Sequence, residues 1–327
     1  MRAVARLVAV AALAGAIAAG GQVQAASWDM PTPYPQPNFH TQNIMAFAED
    51  VADMTDGELE ITVHPAGSLF KHPEIKNAVR SRLAPIGEFL LSRLANENAV
   101  FQVDSVPFLA TDYDQAMKLW QASKPTVRDL LAAEDLKVLF TVPWPPQGLY
   151  TKEPIESMDD LKGISFRAYN TATERLAQLA GMVPTQVEVP DIPQAFATGR
   201  VDGMMTSPST GVNSKAWDFV NHFYHLQAWL PKNIVVVNAR AFEGLDESVR
   251  NAVLKAAEKA MDRGWKMSMK ETRQQMDKLE ENGMTVHREP SETLQQGFQE
   301  IGAKMASEWQ EKAGEAGSEI LKRYRAE

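Results

Sequence analysis

The chain has 327 residues, 44% of them apolar and 23% charged, with a formal charge of −9 and no cysteine. Such a length accommodates two domains of ordinary size, each with its own core, and the composition excludes intrinsic disorder, a disulfide framework and thiolate chemistry. An acidic balance with no basic stripe also excludes nucleic acid as a partner.

Arg2 and Arg6 stand before the apolar run Leu7 to Ala19, and Val23-Gln24-Ala25 supplies a small-residue cleavage site. This is the layout of a cleavable signal peptide over residues 1–26, so export is expected. The run falls short of the roughly twenty residues that a spanning helix needs, which disfavours a retained anchor. Beyond it, strand and helix signals alternate. Gln42 to Met54 carries Ile44, Phe47, Ala48 and Val51 at i, i+3, i+4 and i+7, and Thr55-Asp56-Gly57 stops it. Leu59 to Val63 alternates with period two and reads as a half-buried strand. A helix begins near Pro73, and strands are read at Pro85 to Leu91, Lys137 to Val142, Ile164 to Arg167, Val201 to Thr206 and Ile234 to Asn238. Two long helical stretches close the chain, Asp246 to about Asn282 and Ser291 to about Tyr324. Unbroken, the first would exceed about 50 Å at 1.5 Å per residue; the alternative is a break near Arg263-Gly264.

Alternation of this kind means α/β lobes. No linker separates them, so the chain must cross between lobes more than once, and Pro143-Trp144-Pro145-Pro146 and Leu230-Pro231-Lys232 are the candidate crossings. Lobe I is expected at 27–147 plus about 233–282, and lobe II at 148–232 plus about 283–327. A ligand site would then lie between them at strand ends.

Arg167 ends the short apolar strand Ile164-Ser165-Phe166-Arg167. A guanidinium is always charged and offers a planar fork that matches a carboxylate two-on-two. Placed behind Ile164 and Phe166 it needs an anion, taken from the chain's own acidic side chains or from a ligand. The following helix start, where Thr171 and Glu174 have capping-box spacing and Asn170 stands just before, either adds favourable partial charge for that anion or serves only as a cap.

The strings Met158-Asp159-Asp160-Leu161-Lys162-Gly163-Ile164-Ser165-Phe166-Arg167, Gly181-Met182-Val183-Pro184-Thr185 and Ala195-Phe196-Ala197-Thr198-Gly199-Arg200-Val201-Asp202-Gly203 resemble the central signature of the substrate-binding proteins of TRAP transporters, tripartite ATP-independent periplasmic carriers. The resemblance runs from roughly Trp28 to the final helix. It implies a two-lobed α/β periplasmic receptor of the Venus-flytrap type, with a long helix spanning both lobes. Such a receptor binds a small organic acid and delivers it to membrane permease subunits. The resemblance also implies that Arg167 pairs with the ligand carboxylate.

Two departures from the acid-sugar binders of that family narrow the ligand. After Asp202-Gly203 their asparagine gives way to Thr206 and Ser207, whose hydroxyls donate to a carboxylate oxygen or simply cap a helix. Twenty residues before Arg167, where another arginine often stands, this chain has the uncharged Gln147. One counter-charge suggests a monocarboxylate, such as a 2-oxo or aryl acid, with sugar acids and amino acids as alternatives. Trp144 among three prolines, Phe89 in the strand that should face the cleft, and Trp229 before the return crossing form either an aromatic pocket wall or core. Glu88, the one acid in its apolar strand, accepts a ligand hydroxyl or ammonium, or pairs with Arg80 or Arg82. Thr32, after the first strand, lines the cleft mouth or forms a turn.

Catalysis finds no support in the motifs: there is no Gly-x-Ser-x-Gly elbow, Walker loop or His-Glu-x-x-His. Among six histidines only His222 and His225 form a local pair, at helical i, i+3 spacing and without an identifiable third metal ligand. Ser207 or Ser209 as a hydrolase nucleophile would need a base and an orienting acid. No cofactor is expected, and no metal, since the calcium-dependent relatives' clustered carboxylates have no counterpart.

Overall fold

The computed structural model describes residues 26–326. The segment read as a signal peptide lies outside the described residues apart from Ala26, which opens the first strand.

The chain starts with β1 (Ala26–Pro31), α1 (Phe39–Met54), β2 (Leu59–His64), α2 (Ile75–Arg80), β3 (Ile86–Leu90), α3 (Tyr113–Ala132) and β4 (Leu136–Pro143). It then enters a second group, β5 (Gly148–Thr151), β6 (Ser165–Ala168), α4 (Thr171–Leu179), β7 (Val183–Gln186), α5 (Ile192–Ala197), β8 (Gly203–Thr206), α6 (Pro208–Asn213) and β9 (His222–Tyr224). It returns as β10 (Lys232–Asn238), followed by α7 (Ala239–Glu243), α8 (Glu247–Glu281), β11 (Thr285–His287) and α9 (Glu292–Ala326). The strands form one three-stranded sheet, β3-β10-β4, one six-stranded sheet, β11-β9-β5-β8-β6-β7, and the parallel pair β1-β2. Each larger sheet has its own helices, so the molecule is two α/β lobes.

Local chemistry explains the boundaries. Asn38 caps α1 by accepting the His40 N–H (2.9 Å), which starts the helix three residues ahead of its periodic face; Ile44, Phe47, Ala48 and Val51 are buried on that face. The helix stops where Asp56 and Gly57 take positive φ, 50° and 78°. In β3 all five residues are buried, because the strand is covered on both faces and pairs antiparallel with the wholly buried β10.

Two of the chain's crossings between the lobes, β4 to β5 and β9 to β10, hydrogen-bond to each other. The Trp144 N–H donates to the Pro231 carbonyl (2.8 Å), the Gln147 N–H to the Trp229 carbonyl (2.9 Å) and the Ala228 N–H to the Gln147 carbonyl (3.1 Å). These bonds continue the β4–β10 ladder, where Pro143 faces Lys232, toward the β5–β9 ladder, where Leu149 faces Tyr224.

Helix α8 runs 35 residues without a break, about 52 Å at 1.5 Å per residue. Its middle lies on the first lobe: Asn43 of α1 donates to the Ala260 carbonyl (3.0 Å), Arg263 pairs with Asp50 (2.7 Å), and Gly264 sits directly against Val142. Its end packs Met276 and Leu279 with Tyr150, Met204 and Phe223 of the second lobe, and Glu271 accepts the Ser209 hydroxyl (2.7 Å). No break occurs at Arg263-Gly264, because the glycine is there to let the helix approach the sheet.

The C-terminal stretch departs from the expectation that it belongs wholly to the second lobe. Leu294, Phe298, Ile301 and Met305 pack with Leu161 and Leu176 of that lobe, but Trp309, Ile320 and Leu321 pack with Phe101, Trp120 and Leu131 of the first. Gly314 (φ 57°) kinks α9 within the part that packs on the first lobe, between Trp309 and Ile320. Periodicity reveals a buried face, not which lobe covers it.

Candidate functional site

Arg167 sits on β6 between β7 and β8, opposite Thr185 and Met204. Strand alternation buries Phe166 in the core and sends Arg167 and Tyr169 to the other face. The guanidinium is 1% exposed. Its Nε donates to the Val187 carbonyl (2.9 Å), and its Cζ lies 4.9 Å from the centroid of the Tyr169 ring. Among the described residues no carboxylate forms an ion pair with it, and Nη1 and Nη2 make no hydrogen bond. Burial pulls its pKa down to about 10, against partial opposition from Tyr169 and Glu188. The fold therefore bears the cost of a desolvated charge that an anion would relieve.

Around this fork lies a cavity with about 370 Å3 of atom-free space, the solvent at its mouth included. The second lobe supplies Arg167, Tyr169, Glu188, Thr206 and Thr210, the first supplies Tyr34, His72 and Leu90, and the passage from β4 to β5 supplies Trp144 and Gln147. The aromatic side chains are fixed by hydrogen bonds. Tyr34 Oη (3.1 Å) and Trp144 Nε1 (2.9 Å) both donate to Asn233 Oδ1, and their rings meet edge to face at 4.9 Å. Tyr169 Oη donates to Gln147 Oε1 (3.2 Å) and accepts from Trp229 Nε1 (3.2 Å), while Gln147 Nε2 donates to the Pro145 carbonyl (2.9 Å). Thr206 ends β8 with a buried hydroxyl that makes no hydrogen bond among the described residues.

At the cavity's edge the lobes clasp. Glu188 takes an ion pair from Arg93 (2.9 Å) and a bond from His72 Nδ1 (3.3 Å), and Arg93 Nη1 also donates to the Tyr169 carbonyl (2.7 Å). The Leu90 N–H donates to His72 Nε2 (3.1 Å), so the proton of this ring is on Nδ1 and the ring is neutral. Burial lowers the pKa of His72 despite Glu188. Burial alone would raise the carboxyl of Glu188, but His72, Arg93 and Arg167 outweigh it and hold the group below its ordinary value.

Of the residues singled out from the sequence, Arg167, Gln147, Trp144 and Thr206 line the cavity. Six others do not. Ser207 caps α6, accepting the Thr210 N–H (3.1 Å). Asn170 caps α4 with Thr173, not the expected Thr171/Glu174 box, and donates across the lobes to Ser92 (2.8 Å). Glu88 accepts the Thr32 hydroxyl (2.7 Å) and lies 3.5 Å from His40, one layer behind Tyr34 and Trp144; Arg80 pairs with Glu134 instead. Thr32 is thereby an internal partner. Phe89 points away into the first-lobe core, and Trp229 stands behind Tyr169. Four of the lining residues missed lie one to three positions from those named, Tyr34 beyond Thr32, Leu90 beyond Phe89, Thr210 beyond Ser207, and Tyr169 two beyond Arg167, where alternation alone would have placed it; His72 and Glu188 lie far in sequence from any of them. His222 is on a strand, with Nδ1 3.2 Å from His287 Nε2 and no bond to His225. Among the described residues no group of three or more His, Cys, Asp or Glu is placed to hold a metal ion. Ser207 and Ser209 bond to Thr210 and Glu271, not to a histidine.

Removing the Tyr169 hydroxyl tests this scaffold. Tyr169→Phe leaves Gln147 Oε1 and Trp229 Nε1 without their shared partner, and stability is expected to fall by about 1–3 kcal/mol. A lower urea midpoint at unchanged m would show it.

Comparison with known proteins gives a consistent result. The profile of the DctP family, described as bacterial extracellular solute-binding protein, family 7, matches residues 34–312. The crystal structure of DctP7, a Bordetella pertussis extracytoplasmic solute receptor binding pyroglutamic acid, is 46% identical, with a TM-score of 0.90 over 92% of this chain and 100% of that one. A marine metagenome TRAP solute-binding protein specific for pyroglutamate, solved with co-purified pyroglutamate, is 41% identical, with a TM-score of 0.91 over 93% and 100% of the two chains. More distantly, the C4-dicarboxylate-binding periplasmic protein DctP of Rhodobacter capsulatus is 23% identical over 86% of this chain and 82% of its own.

Proposed function

Because this chain belongs to the DctP family of bacterial extracellular solute-binding proteins, we propose that it is the solute receptor of a TRAP transporter and that it closes on a small monocarboxylate, with pyroglutamate as the first candidate. The observation that carries this reading is Arg167, buried between the lobes with its fork unclaimed by any carboxylate of the described residues. One carboxylate meets that fork, and a compact ring fits between Tyr34, Trp144 and Tyr169 in a cavity too small for a large solute. The pyroglutamate receptors of similar sequence support the choice of ligand. A free amino acid is a poorer fit, since its ammonium would need an acid and both nearby acids are engaged, Glu188 by Arg93 and His72 and Glu88 by Thr32. Sugar acids demand more polar partners than these walls offer.

Ligand contacts from both lobes favour the closed arrangement by differential affinity. The receptor is exported by its N-terminal signal, works outside the cytoplasmic membrane, releases its ligand unchanged, and hands it to the membrane permease subunits. A thermal-shift and calorimetry screen of pyroglutamate, 2-oxo acids, aryl acids, sugar acids and amino acids tests the reading. Pyroglutamate at about 100 times its dissociation constant is expected to stabilise the fold by about 2.7 kcal/mol. Stabilisation by neutral sugars or by no carboxylate, or conversion of the ligand during incubation, would overturn the proposal.

A further inference from the structure

We propose that Glu188 determines the charge of the ligand: it is the specificity-determining residue that admits one carboxylate to the cavity and turns away a second. The inference rests on the reading of Arg167 as the carboxylate partner and adds a fixed negative group on the same wall.

Glu188 lines the cavity and follows Val187, whose carbonyl holds Arg167 Nε at 2.9 Å. It keeps its own carboxylate engaged across the lobes, at 2.9 Å from Arg93 and 3.3 Å from His72. His72 is neutral, with Leu90 donating to its Nε2, so Arg93 is the one full positive charge paired with Glu188. Among the described residues the cavity wall thus carries one close ion pair, Arg93 with Glu188, and a second cation, Arg167, that forms none. Glu88 adds a further buried negative field behind Tyr34, held by the Thr32 hydroxyl at 2.7 Å. A first carboxylate completes the charge balance. A second would enter a nearly dry site facing Glu188 with no cation left, and like-charge juxtaposition in such a site is strongly rejected.

Glutaramate and glutarate test charge at constant shape, because they have the same heavy-atom skeleton and differ by an amide against a carboxylate. Each is titrated as a competitor of bound pyroglutamate, in the full-length mature chain. Wild type is expected to bind glutarate about 100-fold more weakly than glutaramate. In Glu188→Gln, which keeps an oxygen for Arg93 and His72, that ratio is expected to fall at least about tenfold through a gain in glutarate binding. Arg93→Gln, which leaves Glu188 without its cation, should move the ratio the other way and serves if the first variant does not fold. An unchanged ratio in Glu188→Gln, no glutarate displacement there, or an equal gain by glutaramate overturns the role of Glu188. Failure of wild type to bind pyroglutamate or any other monocarboxylate would instead overturn the functional reading beneath it.

Discussion

Replacing Arg167 with methionine is expected to abolish ligand-induced stabilisation while leaving the ligand-free unfolding transition in place or slightly raised. The two halves of this result have one cause. Arg167 is 1% exposed, makes a single hydrogen bond to the Val187 carbonyl and lies on Tyr169, so closing the lobes desolvates a cation that no carboxylate of the described residues pairs with. Replacing an uncompensated buried charge by an apolar side chain of similar length is neutral or favourable. With ligand the balance reverses, because losing one partner of a buried pair costs about 3–5 kcal/mol. At 1.4 kcal/mol per tenfold, a micromolar ligand weakens to between about 0.1 mM and a few millimolar. Arg167→Lys should recover part of the affinity at most, since an ammonium keeps the charge and loses the planar fork. Calorimetric affinity within threefold of wild type in Arg167→Met would remove the foundation of the functional reading.

Gly264→Leu is expected to produce the largest loss of stability without touching the cavity. Helix propensity alone favours the change by about 1 kcal/mol, since glycine is poor in a helix interior. Packing decides otherwise. A Cβ at this position would lie 2.4 Å from a methyl of Val142 and 2.7 Å from Asn43 Nδ2, and leucine adds three more carbon atoms behind it. Overpacking of this kind costs about 1–3 kcal/mol or more. Here it also pushes away the Asn43 amide that donates to the Ala260 carbonyl. The net loss should appear as a lower melting temperature, by about 2–4 °C for each kcal/mol lost, with Gly264→Ala intermediate. A melting temperature at or above that of wild type would show that α8 tolerates distance from β4.

Most of the scaffold was legible because its signals are local. The buried face of α1, its stop at Asp56-Gly57, the β2 alternation and the length of α8 follow from spacing and turn chemistry. Helix α3 has a periodic buried face, with Ala116, Leu119, Trp120 and Ser123 at i, i+3, i+4 and i+7, but Pro125 inside it is a helix-breaking signal. The strands β5, β7, β9 and β11 are four residues or fewer, too short for a period to declare itself. In the site, Arg167 was legible because a charge in an apolar strand stands out. The neighbours are not legible where a strand gives way to a loop or cap, as at Thr32 and Ser207, because alternation no longer says which way a side chain points there; in β3 both faces are buried, so alternation does not say whether Phe89 or Leu90 faces the cavity. Glu188 carried no signal at all: its role depends on Arg93 and His72, which only the closed lobes bring to it.

The mutual bonding of the two inter-lobe passages has a mechanical consequence. Separate threads would let the halves shear and twist independently. A laced pair, with the amide of Trp144 on the carbonyl of Pro231 and that of Gln147 on the carbonyl of Trp229, ties the two passages together so that neither bends without the other. Trp144 and Gln147 belong both to that laced pair and to the cavity wall. The jaw and its pivot therefore share side chains, and a solute that presses on the wall pushes at the axle.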